Sequence, residues 1–275
     1  MNSILEMFSY SFMTKAFIVG ILISICASLV GISLVLKRNS MIGDGLSHVG
    51  FGAFAIATVL NFAPLEFALP IVIISSFLIL RLNENSKIHG DSAIAILSSS
   101  SLAIGTFVIS ITKGVNTDIN NYLFGSILSI SNSDLILSII LSIIVIILYL
   151  LCYNQIFALT FDETFAKSIG VKTEVYNIIF ACLCSVVVVL GMRLMGSLLI
   201  SSLIIFPTIS AMQIAKNFKG VVILAVIVSL INFIVGLTLS YFLSTPTGAT
   251  IVIFNLVTLI IFKIFDLIRR NKIWN

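Results

Sequence analysis

Asp44 and His48 stand four positions apart in the run MIGDGLSHVGFGAFAIA, from Met41 to Ala57. On a helix, that i, i+4 spacing sets a carboxylate and an imidazole on one face about a turn apart, close enough to share a divalent cation or a proton. The surrounding residues are apolar or small, and an ionisable pair at membrane depth reads by default as a functional site. Two ligands from one helical turn suit a hydrated, exchanging transition-metal ion, held weakly enough to leave again. A purely structural alternative stays open at this point. Asp44 caps a helix N-terminus in that reading, and His48 only hydrogen-bonds a neighbouring carbonyl.

The elements that carry this pair are apolar almost throughout. Hydrophobic residues make up 59% of the 275, charged residues 9%, and mean hydropathy is +1.22, far from the roughly 25% charge of a soluble domain. The chain therefore reads as an all-α, polytopic integral membrane helical bundle of eight or nine transmembrane helices, forming a single domain over 1–275. Long non-alternating runs such as Leu135 to Leu151 and Val221 to Phe242 exclude an outer-membrane barrel, whose strands alternate apolar and polar residues.

The apolar pattern predicts spans at 16–36, 45–62, 66–82, 92–112, 134–153, 175–191, 196–214, 221–243 and 249–267. Between 175 and 214 only Arg193, Gly191 and Gly196 interrupt about forty apolar residues, which is where nine spans could become eight. Lys37, Arg38, Arg81, Lys87, Lys167, Lys172, Lys216, Lys219, Arg269, Arg270 and Lys272 fall on one side, the expected cytosolic side, and Lys15, Lys113 and Arg193 on the other. This places the N-terminus outside and the C-terminus inside. Met1 to Thr14 has no basic region or A-x-A cleavage site, so the first helix is expected to stay. The net charge of +4 serves orientation, and no nucleic-acid partner is expected. The four cysteines form no C-x-x-C and read as packing residues.

Missing motifs narrow the function. The chain has no H-E-x-x-H and no G-x-x-x-x-G-K-[ST], so it is not expected to be an enzyme, and ATP, if used, is hydrolysed by another chain. Gly43, Gly45, Ser47, Gly50 and Gly52 make the second span rich in small residues, which suits a helix lining a path. Pro207 follows a serine-rich stretch that includes Ser201 and Ser202, frees the carbonyl of Leu203, and stands where a gate or a mere bend is expected. The loop from Gln155 to Glu174 contains Phe161, Asp162, Glu163, Phe165, Ala166 and Gly170, and it predicts a short amphipathic helix with Asp162 near its N-terminus and Gly170 at its C-cap. The remaining acids read as structural: Glu66, Asp118 and Asp134 as solvated or capping, and Asp91 as an N-cap. His89 lies in a loop on the basic side.

Three segments together carry a resemblance. Gly43-Asp44-Gly45-Leu46-Ser47-His48 is similar to the G-D-[AG]-[IL]-S-H signature of the permease subunits of ABC importers for zinc, manganese and iron. The stretch from Gly196 to Pro207 resembles that family's G-x-L-L-[VI]-[SA]-[AS]-L-[LI]-[VI]-x-P, and Tyr122 to Leu128 its L-F-G-[SN]-[IL]-L. After His48, Val49-Gly50-Phe51-Gly52 departs from the family's A-V-L-P-G, without the proline. The resemblance implies that Asp44 and His48 meet the metal, that Gly43, Ser47, Gly50, Gly52, Ser201 and Pro207 line or gate the pathway, and that Phe161 to Gly170 is a coupling helix. It further implies a dimer of this chain in the cell membrane, a cytosolic ABC ATPase subunit, an extracytoplasmic metal-binding protein, and no cofactor on this chain beyond the transported ion. Zinc is the first expectation for cargo and manganese the second, since imidazole with carboxylate suits both. The alternative is a stand-alone, proton-coupled transporter using Asp44 and His48 as a proton relay.

Overall fold

Where the apolar pattern breaks, the chain turns back across the bundle. The computed structural model describes residues 2–85, 90–112 and 131–273, and among these every regular element is helical. The Tyr122 to Leu128 segment, and also Lys87, His89, Lys113 and Asp118, lie outside the described residues. The described helices are α1 (Asn2–Ser9), α2 (Ser11–Leu36), α3 (Met41–Val59), α4 (Pro64–Asn85), α5 (Gly90–Ile111), α6 (Asn132–Leu151), α7 (Tyr153–Phe161), α8 (Glu163–Ser168), α9 (Thr173–Met195), α10 (Ser197–Ile214), α11 (Phe218–Leu243) and α12 (Thr247–Ile273). Eight of them are long and apolar enough to cross a membrane. A ninth, α4, has 22 residues, and at about 1.5 Å per residue it is roughly 33 Å long.

Nine long helices among the described residues match the nine expected spans, but several overrun the expected bounds. The helix α9 starts at Thr173 and runs through Gly191 and Arg193 to Met195, four residues beyond the predicted end at 191. Hydropathy marks only the part that faces lipid or core, whereas backbone hydrogen bonding continues into the polar flanks. Gly196 makes the break between α9 and α10, with φ 88° and ψ 158°, a conformation that side chains with a Cβ rarely adopt.

Contacts between helices set their directions. Cys26 Sγ lies 3.5 Å from the Ser142 carbonyl and Thr160 Oγ1 donates to Ser33 Oγ at 3.1 Å, so α6 runs parallel to α2 and delivers α7 to its C-terminal end. Ser229 donates to the Ser24 carbonyl, and Phe233 meets Gly20, so α11 is antiparallel to α2. The end of α2, the start of α3, the α7–α8 segment and the start of α9 therefore gather at one end of the bundle. Lys37, Arg38, Lys167 and Lys172 sit there, in keeping with the predicted cytosolic side.

The helices α2 and α3 are interior, whereas α5, α6 and α12 keep exposed apolar faces such as Ile104, Phe107, Ile140 and Ile261, the pattern required of lipid-facing surface. Because lipid tails are as apolar as leucine, interior polar groups contribute to helix association. Asn232 donates to Asn255 at 2.8 Å, Asn255 donates to Ser202 at 3.1 Å, and Thr258 donates to Asn232 at 2.9 Å, which joins α10, α11 and α12. Asp134 both forms a capping box with Ser131 and lies 3.7 Å from Arg193, so the acid expected to be solvated or capping also ties α6 to α9.

Candidate functional site

The helix α3 begins at Met41, with Ser40 at the N-cap position and no side-chain cap. Asp44 lies in the first turn of the helix rather than at its N-cap, so it makes no side-chain cap, although a carboxylate there still suits the helix dipole. Its Oδ1 accepts a hydrogen bond from Ser201 of α10 at 3.2 Å, and its Oδ2 faces His48 Nε2 at 3.7 Å. The other ring nitrogen of His48, Nδ1, is buried and has no hydrogen-bond partner, so the imidazole is not held by a carbonyl either. The two side chains remain reachable, His48 27% and Asp44 45% exposed.

They line a cleft of about 210 Å³ between α3 and α5, together with Met41, Asp91, Ser98 and Ser99. Small residues make this crossing close. A Cβ on Gly52 would stand 2.7 Å from the Ser101 carbonyl oxygen, and one on Gly45 would overlap Ile94. Without them α3 and α5 could not approach, and the cleft would widen into a gap.

A carboxylate oxygen and an imidazole nitrogen 3.7 Å apart can both reach one ion at about 2.1 Å, with an angle near 120° at the metal. Among the described residues no three His, Cys, Asp or Glu side chains are close enough to hold one ion together. An ion placed there would take the rest of its shell from water or from groups of another chain, and two donors alone would hold it weakly. The same arrangement could pass a proton between Oδ2 and Nε2 only after a small closing movement, because 3.7 Å exceeds hydrogen-bond length.

The other residues singled out in the sequence are placed differently. Gly43 packs on Ile204, Gly50 on Met192 and Val72, and Gly52 on Ser101, all away from the cleft lining. Ser47 is fully buried and donates to the Asp44 carbonyl of its own helix at 2.7 Å. Pro207 is buried within a continuous α10, and the Thr208 hydroxyl donates to the Ile204 carbonyl at 3.2 Å. Asp91 is an ionisable cleft residue that the sequence did not single out for function. It lies 47 positions from Asp44, and only the packing of α5 on α3 brings it to the same wall.

At the basic end, 155–174 contains two helices rather than the one expected, because α7 continues helical from Tyr153 to Phe161 before the chain turns at Asp162. Asp162 Oδ1 accepts from the Phe165 amide at 2.9 Å and caps α8, and Gly170 follows at φ 85°. Ala166 is fully buried, whereas Phe165 is 57% exposed. Phe161 packs edge-on against Phe218 with ring centroids 5.9 Å apart. Lys37 donates to Asn177 and Asn177 to Glu163, at 3.4 and 3.3 Å, which links α8 to the end of α2.

A many-helix bundle with eight candidate membrane spans, a carboxylate–imidazole pair in a cleft and a capped short helix at the basic end defines a polytopic membrane protein. Residues 9–266 match the ABC 3 transport family, and the chain belongs to that family. It is 30% identical to the manganese import system permease protein ScaB of Streptococcus parasanguinis, over 96% of this chain and 94% of that protein. It is 28% identical to the high-affinity zinc uptake system membrane protein ZnuB of Haemophilus influenzae, over 89% and 94%. Its fold is similar to a chain in the structure of PsaBC from Streptococcus pneumoniae in complex with Fab, with a TM-score of 0.83 and 27% identity over 94% of this chain and 95% of that one.

Proposed function

We propose that this chain is the membrane-spanning permease of an ATP-driven importer of a divalent metal ion, zinc or manganese, and that Asp44 and His48 touch the ion as it passes. The observation that carries this is the pair itself: Oδ2 and Nε2 side by side at 3.7 Å on one wall of a cleft, in a member of the ABC 3 transport family. Asp44 supplies charge to draw a cation from water, and His48 supplies a nitrogen donor suited to zinc and acceptable to manganese. Ser201 holds the carboxylate by its Oδ1, leaving Oδ2 turned to the imidazole. The two-donor site binds loosely, so affinity resides in an extracytoplasmic binding protein that delivers the ion. Gly43, Ser47, Gly50 and Gly52 seat α3 against its neighbours, and Pro207 gives α10 its point of bending.

Two copies of the chain form the pathway, with α3 near their axis so that the partly exposed pair of each faces the ion. Two cytosolic ATPase subunits grip α8, with Phe165 as anchor and Phe161, Asp162, Glu163, Ala166 and Gly170 shaping the helix around it. Closure of the ATPases moves α8 and switches access between the two sides. The chain holds no resident cofactor, since the metal is its substrate, and all 275 residues act as one permease domain. The test is accumulation of radioactive zinc, manganese and iron in cells making the complete transporter. Asp44→Asn and His48→Ala should each abolish uptake of one metal at unchanged protein level and unchanged ATPase association. Normal uptake in both variants would show that the pair is not on the path.

A further inference from the structure

We propose that Asp91 is a second station for the transported cation, about a helical turn from Asp44 toward the basic end of the bundle. This rests on the reading of Asp44 and His48 as the first station. The register of α3 against α5 carries the argument. Gly45 lies opposite Ile94 and Ser98, and Gly52 opposite Ser101, so the two helices run parallel. Asp91 precedes Ile94 by three residues, about 4.5 Å of helical rise toward the start of both helices. His48 lies on the other side of Gly45. Going toward the basic end, His48, Asp44 and Asp91 therefore follow one another along the same cleft.

Asp91 does not complete the first shell, because among the described residues no three such side chains can hold one ion together. An ion leaving Asp44 and His48 must step, and a step into a cleft without charge would be slow. Conduction favours several weak sites in series over one tight one. The cleft of about 210 Å³ is many times the roughly 10–15 Å³ that one water needs, enough for a partly hydrated ion. Ser98 and Ser99 line it at the level of Gly45, beside the first station, and offer hydroxyl oxygens there. The second station is all oxygen, without the imidazole of the first, so it accepts manganese and zinc alike and leaves discrimination to His48.

The competing role for Asp91 is that of an acid in the first turn of α5, favourable to the helix dipole and nothing more. The experiment measures manganese and zinc ions moved per ATP hydrolysed by the complete transporter in proteoliposomes supplied with its loaded binding protein. Asp91→Asn is expected to lower that ratio at least tenfold while ATP hydrolysis stays stimulated, and Asp91→Glu to regain most of it. In a cysteine-free background, Asp91→Cys should be inactive, be restored by a carboxylate-bearing thiol reagent, and stay inactive with an ammonium-bearing one. A wild-type ratio in Asp91→Asn beside an inactive Asp44→Asn overturns the second station and leaves the first standing. Wild-type ratios in both variants overturn both. If Asp91→Asn does not fold, restoration of Asp91→Cys by either reagent alike overturns the proposal.

Discussion

At the residue scale, Asp44 and Arg193 show two ways in which a charge is kept inside an apolar bundle. Asp44 keeps 45% of its side chain exposed, with Oδ1 accepting from Ser201 and Oδ2 facing His48. Ser201→Ala removes that hold without touching the donors. It should lower the transport rate several-fold, an effect smaller than the loss in Asp44→Asn, measured as initial metal uptake. Arg193 is instead matched to Asp134 at 3.7 Å, both mostly buried. Removing one partner of a buried pair strands the other, at about 3–5 kcal/mol when burial is complete and less for this partly exposed pair. Arg193→Gln should therefore lower thermal stability in detergent by about 1–3 kcal/mol, and the double change to Arg193→Met with Asp134→Leu should recover part of that loss.

At the scale of elements, the α3–α5 contact and the α7–α8 segment make separate predictions. Gly52 meets the backbone oxygen of Ser101, which cannot swing aside as a side chain could. Gly52→Leu should cost about 1–3 kcal/mol by overpacking, seen as a lower midpoint of thermal unfolding, with the cleft distorted and uptake lost. At the other segment, Asp162 caps α8 through the Phe165 amide. Asp162→Ala should weaken the helix by about 1 kcal/mol, whereas Asp162→Ser keeps the cap. Phe165→Ala leaves the cap intact and removes the exposed ring, so it should abolish co-purification of the ATPase while the chain remains folded. The six-residue helix was legible beforehand because its signals are local, an acid at the start and a glycine after the end. The preceding helix α7 was not, since its short apolar run between two turns resembles a continuation of the loop.

At the scale of the whole molecule, eight described helices qualify as crossings, α4 would be a ninth that puts Ser9 and Ser168 on opposite sides, and the α8 end carries basic residues. Single cysteines introduced at Ser9 and at Ser168 in a cysteine-free chain should react with an impermeant maleimide from opposite sides of sealed vesicles. Labelling of both from one side would mean that α4 or another helix does not cross. The number of crossings was readable from hydropathy to within one, because burial in lipid demands about twenty apolar residues per helix whatever the partners. Helix identity, the Asp44–His48 pair and the position of the short helix α8 were determined by the sequence alone, since each depends on spacing within one helix or on composition over one span. Tertiary structure alone decided that Asp44 stands inside α3 on a bond from Ser201, that Arg193 is answered by Asp134, and that Asp91 shares a cleft with His48. These join residues 43 to 157 positions apart, and such meetings follow from which helices run parallel and how closely their glycines let them pack.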